Sequence, residues 1–116
     1  IHALADGPGG FGMTLHRLAA TIDTGAILAQ EAVPLPADTT ATRAAVALHT
    51  HGRVMLDRLL DEIASADRMP EGRSTEVLPY CPFPDRALLA SLRRRGLRLT
   101  DGRDLREAVS LSGRAG

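Results

Sequence analysis

The sequence predicts an α/β fold made of a hairpin-like strand pair, a long amphipathic helix and a short helical tail. Three observations carry that prediction. Two β-type runs, Met13 to Leu18 and Ile27 to Leu35, flank an Asp23-Thr24-Gly25 turn, as in an antiparallel hairpin. Ala44, Leu48, Met55, Leu59 and Ile63 then recur at spacings of four, seven, four and four, which puts them on one helix face. Asp85 and Gly96 bracket a further helical run with a capping side chain and a terminating glycine.

Residues 1–5 read as the end of a helix. Asp6-Gly7-Pro8-Gly9-Gly10 follows as a breaker-rich loop. Ala19 to Gly25 connects the two strands, and Pro34 and Pro36 stop the second one. Asp38 or Thr39 is placed to cap the long helix, which should run to about Ala64. Gly52 interrupts its apolar stripe at about 1 kcal/mol of helix propensity, so close packing against a sheet or helix is expected there. Arg53, Asp57, Arg58, Asp61 and Glu62 form its wet side. Ser65 to Pro79 is polar and loop-like, and Tyr80-Cys81-Pro82-Phe83-Pro84 should be extended, since proline disfavours helix at the residue before it. Leu97 to Leu99 is expected as a short strand, and Asp101 or Gly102 opens a last helix to about Leu111.

Composition narrows the function classes. The chain has 116 residues, 14 basic against 14 acidic, and its formal net charge is zero. This gives no broad electrostatic footprint for nucleic acid or an anionic membrane. A domain of this size buries roughly 65% of its unfolded surface, enough for one core. Two Phe, one Tyr and no Trp make that core aliphatic and leave no row of aromatic platforms for bases. Every basic residue is Arg, so a Schiff-base or P-loop lysine is absent. Cys81 is the only cysteine, and a small buried or half-buried thiol is expected. No charged-then-apolar leader or long apolar run is present, which implies a cytoplasmic location and no membrane partner. The opening Ile1-His2-Ala3-Leu4 reads as the middle of a domain.

Several motifs have bland readings that outweigh the sharp ones. Gly7-Pro8-Gly9-Gly10-Phe11-Gly12 satisfies G-x-G-x-x-G, but a strand-like run follows it where a dinucleotide site needs a helix. His49 and His51 are two apart and so point to different helix faces, whereas zinc ligands need a spacing of three or four; no metal site is expected. Arg93-Arg94-Arg95 complements a helix C-terminus. Asp23, by spacing alone, is a turn aspartate bonding its local backbone.

The context of Asp23 changes that reading. Gly12-Met13-Thr14-Leu15-His16 resembles the Gly-Val-Thr-hydrophobic-His strand of folate-dependent formyltransferases. Ile22-Asp23-Thr24-Gly25-Ala26-Ile27-Leu28 is similar to their (Leu/Ile)-Asp-Thr-Gly-x-Ile-Leu signature, at the expected separation. Val33-Pro34-Leu35, then Asp38-Thr39 and the amphipathic helix, are also similar to the family. The resemblance spans roughly residues 2–64, is fairly specific, and implies the distal half of a Rossmann-like formyltransferase catalytic domain.

It further implies that Asp23 is catalytic, acting beside a His from an upstream Asn-x-His-Pro-Ser segment. The loop from Leu18 through Ala19, Ala20 and Thr21 would present backbone groups to the pterin of 10-formyltetrahydrofolate, the formyl donor. The chain contains no Asn, and none of its four His lies in that context. The isolated chain is therefore expected to be inactive: a fragment partnered by the upstream half of the same domain is the first choice, ahead of a partner half on another chain or a remnant of the fold. A small-molecule amine is the favoured acceptor, and initiator tRNA the less favoured one. On this reading residues 1–64 are the distal half-domain, 65–111 a proline-containing linker and helical extension, and 112–116 a disordered tail. The rival reading is a non-catalytic binding or assembly module that docks a partner through its amphipathic helix.

Overall fold

A computed structural model describes residues 1–21, 25–74 and 81–112. It is mixed α/β, with elements in the order α1 (His2–Asp6), a 3-10 turn (Pro8–Gly10), β1 (Gly12–His16), β2 (Ile27–Ala32), α2 (Ala41–Ala66), α3 (Arg86–Arg94) and α4 (Gly102–Ser112). The chain forms two compact units. One comprises Ile1–Phe11, Pro34–Ala47 and Phe83–Gly116, the other Gly12–Val33 and Leu48–Pro82. The single helix α2 contributes to both.

In the strand-bearing unit, β1 and β2 pair antiparallel, with Gly12 opposite Ala32, Met13 opposite Glu31 and Thr14 opposite Gln30. The register shifts between Leu15 and His16, whose partners are Ala29 and Ile27; Leu28 is the extra residue of a bulge. β2 ends at Ala32, short of the expected Leu35. The chain beyond it faces no further β1 residue, and Pro34 and Pro36 have no N–H to give a ladder. Met13 packs into the gap in the stripe of α2: a Cβ on Gly52 would lie 2.5 Å from the Met13 methyl carbon. Met55 and Leu59 are buried beside that gap, and Leu48 and Ile63 are half-buried. Burying a side chain such as Met55 contributes about 1.5–3 kcal/mol. Asp67, at φ 50, ends α2 in the left-handed region, which aspartate tolerates better than most residues. Gly72, at φ 78, then lets Arg73 reach the edge of β2, where its N–H and C=O bond Ile27 at 2.7 and 2.8 Å.

In the helical unit, Leu4, Phe11, Ala44 and Leu92 form the buried apolar set. The residue that caps α2 is Thr40, one or two positions after the expected Asp38 or Thr39. Its Oγ1 accepts the Arg43 N–H at 3.1 Å. Leu97 to Leu99 is not a strand. The Arg98 and Leu99 carbonyls accept the Ala41 and Thr42 amides at 3.1 and 3.0 Å, so the segment closes the orphan donors of α2. Asp85 caps α3 as expected, its carboxylate accepting the Leu88 N–H at 2.7 Å. Gly96, at φ 73, ends that helix: its N–H bonds the Arg93 carbonyl and the Leu97 N–H reaches Leu92, a Schellman closure.

Cys81 is exposed, against the expectation of a buried or half-buried thiol. It lies in residues 81–85, which have no regular structure and contain Pro82 and Pro84, and Phe83 there is also 90% exposed. No helix of the described residues is long and apolar enough to cross a membrane.

Candidate functional site

The loop between β1 and β2 carries the residues singled out by sequence. Its base is closed by the Arg17 N–H donating to the Ala26 carbonyl at 2.9 Å. The Arg17 guanidinium also donates to the Pro70 carbonyl at 2.6 Å. Gly25 is buried, and a Cβ there would overlap the Arg17 carbonyl oxygen. Its φ is not among the positive ones, so this glycine serves close approach of two backbones. Leu18, Ala19, Ala20 and Thr21 are all exposed, Leu18 at 91%. Asp23, with Ile22 and Thr24, lies outside the described residues, as does the tail 113–116. Ser112, assigned to that tail from sequence, is the last residue of α4.

Among the described residues, two ionic clusters join side chains that no sequence motif marks. In the first, Glu31 on β2 meets His51 on α2 at 2.6 Å and Arg58 at 3.1 Å. The His51 hydrogen bond leads in holding the Glu31 carboxyl below its usual range, with Arg58 adding to it and desolvation opposing. The cluster ties sheet to helix on the face that also carries Met13. On the opposite face Gln30 bonds Thr14 at 3.2 Å and Arg73 at 2.7 Å. The signal available for the first cluster was Glu31 and His51 themselves, but their pairing depends on strand register.

The second cluster joins the starts of α2 and α4. Asp101 caps α4 by accepting the Arg103 and Asp104 amides at 2.9 and 3.2 Å. Asp104 reciprocates, its Oδ2 accepting the Asp101 N–H at 2.7 Å. This is a capping box with an aspartate in place of the usual Glu or Gln. Thr40 donates to Asp104 Oδ2 at 2.9 Å, Thr100 adds a bond at 3.1 Å, and Arg43 reaches Oδ1 at 2.9 Å. Arg43 also grips both oxygens of Asp101, at 3.0 and 3.1 Å.

Asp101 is held well below the ordinary carboxylate range, chiefly by Arg43. For Asp104, burial pushes upward most strongly, yet the Asp101 amide, Thr40, Thr100 and Arg43 together bring it down. Arg43 is raised, first by its bond to Asp101. Both carboxylates are consumed by caps and an ion pair, so the cluster is architecture and not a reactive acid–base pair.

The sign of its pH dependence follows. With both carboxyls depressed in the fold, the unfolded chain binds more protons below about pH 4. Stability from these groups is full above that value and is lost as pH falls through the folded values. Thermal melts should thus be flat in this contribution from pH 8 to 5 and fall below about pH 4. Thr40→Val should cost about 1–2 kcal/mol at pH 7 through the lost cap and make the acid fall shallower. An acid limb identical in both proteins would refute the coupling.

Among the described residues no group of three or more His, Cys, Asp or Glu is placed to hold a metal. No family model matches the chain, and no curated protein or solved structure matches it.

Proposed function

We propose that this chain is the distal part of a Rossmann-like, folate-dependent formyltransferase domain that moves a formyl group from 10-formyltetrahydrofolate to a small-molecule amine. The observation that carries the reading is the coincidence of motif and backbone. Gly12–His16 and Ile27–Ala32 form an antiparallel pair, the loop carrying Asp23 joins them, and the long helix α2 follows in order.

In this reaction the amine attacks the formyl carbon, the bond from that carbon to N10 of the folate breaks, and the amine proton is delivered to the departing nitrogen. On this reading Asp23 would sit beside the His of an Asn-x-His-Pro-Ser segment, favour its protonated form and hold a water for proton shuttling. Ala19, Ala20 and Thr21 offer backbone groups to the pterin. All three residues are small and exposed.

The assembly-module reading is supported by Val54, Leu56 and Leu60, which are exposed on α2. A transfer assay separates the two. The 116-residue chain alone should show no transfer from 10-formyltetrahydrofolate, and the protein that also contains Asn-x-His-Pro-Ser should formylate a small amine. Robust turnover by the isolated chain would defeat the division of catalytic residues. A coding sequence lacking the upstream segment would favour the module.

A further inference from the structure

The helical unit contains an open groove of about 640 Å³ bounded by one face of α3 and by residues 97–100. Its floor is aliphatic, supplied by Leu89, Leu97 and Leu99, with Leu92 buried beneath. Its rim carries Arg86, Arg93 and Arg98, and among the described residues no carboxylate lines it. All three arginines are exposed. Among the described residues none of their guanidinium groups has an ion-pair or side-chain hydrogen-bond partner. This contrasts with Arg43, Arg58, Arg73 and Arg103, each of which is engaged by a side-chain oxygen. In a chain with as many acidic as basic residues, three unengaged arginines around one apolar trough are a local asymmetry.

We infer that this groove docks an acidic amphipathic helix of a partner protein, leucine-type anchors entering the trough and carboxylates meeting the three arginines. The spacing favours a peptide over a small anion. Arg86 and Arg93 are two helical turns apart on α3, about 10 Å along the axis, and Arg98 stands on the other wall. That length of charged rim suits a helix with acidic residues a turn or two apart better than a single carboxylate or phosphate. The leucine floor disfavours nucleic acid, whose bases would find no aromatic or planar surface to stack on.

The test is fluorescence anisotropy of the full chain with a fluorescein-labelled amphipathic peptide carrying Leu at i, i+4 and i+7 and Glu on the flanking positions. Saturable micromolar binding is expected, weakening several-fold when salt rises from about 0.05 to 0.5 M. Arg93→Glu and Leu99→Gln should each weaken it about tenfold. Arg68→Glu, the same charge change on the other unit, should leave it unchanged. Leu99→Gln keeps the backbone carbonyl that caps α2, and circular dichroism checks that each variant is folded. The inference is overturned if the Glu peptide fails to bind up to about 1 mM, a ceiling well above transient docking affinities. It is equally overturned if a Lys-for-Glu peptide binds as well, if Arg93→Glu has no effect, or if a single-stranded oligonucleotide displaces the peptide at lower concentration.

Discussion

Asp23→Asn, made in the protein that also carries the Asn-x-His-Pro-Ser segment, should lower kcat by about 10²–10⁴-fold while leaving the melting temperature essentially unchanged. Asparagine keeps the shape and the local hydrogen bonds of a turn aspartate. On the proposed reading it removes the charge that would favour an imidazolium and one acceptor for the shuttled water. The pH–rate profile should move with it: without the carboxylate the histidine pKa falls, and the limb assigned to it shifts to lower pH. Steady-state kinetics with a thermal melt on the same samples decide the matter. A turn residue would show the reverse, a rate changed less than about threefold and a lowered melting temperature.

Gly25→Ala should destabilise the strand-bearing unit by about 3 kcal/mol, near the upper end of overpacking costs. The added methyl overlaps the Arg17 carbonyl oxygen. A backbone carbonyl on a residue whose own N–H is tied to Ala26 cannot swing aside as the Met13 methyl can at Gly52. Gly9→Ala is the control, because nothing lies within 4 Å of a Cβ there; it should stay within about 0.5 kcal/mol of the parent. Urea denaturation followed by far-ultraviolet circular dichroism reads both. Equal midpoints for the two variants would remove the case for close approach at Gly25.

The features readable from sequence were those set by local chemistry. The stripe from Ala44 to Ile63, the Asp85 cap and the Gly96 stop need only neighbours within a helical turn or two, and the structure has each. The hairpin was legible because alternation and turn residues coincide. The misplaced features depend on partners far along the chain. Thr40 rather than Asp38 or Thr39 caps α2, with Asp104, sixty-four residues away, holding its hydroxyl. Leu97 to Leu99 has strand-like composition, but its carbonyls are taken by α2. At the candidate site, exposure of Ala19, Ala20 and Thr21 agrees with a loop, while the chemical role of Asp23 rests on the motif. Glu31 with His51 was invisible because register, not spacing, brings them together.

The way α2 begins has a consequence for when it can form. Its first turn takes acceptors from Arg98 and Leu99 and a carboxylate contact from Asp104, residues that leave the ribosome long after Ala41 does. The Thr42 side chain bonds the Leu99 carbonyl across 57 positions, and closing a loop of that length is entropically costly. During synthesis the N-terminal end of this helix is therefore expected to fray more than its middle, which can already pack on Met13. Its final ordering is expected to wait for the segment that precedes α4, a late, long-range step for the helical unit.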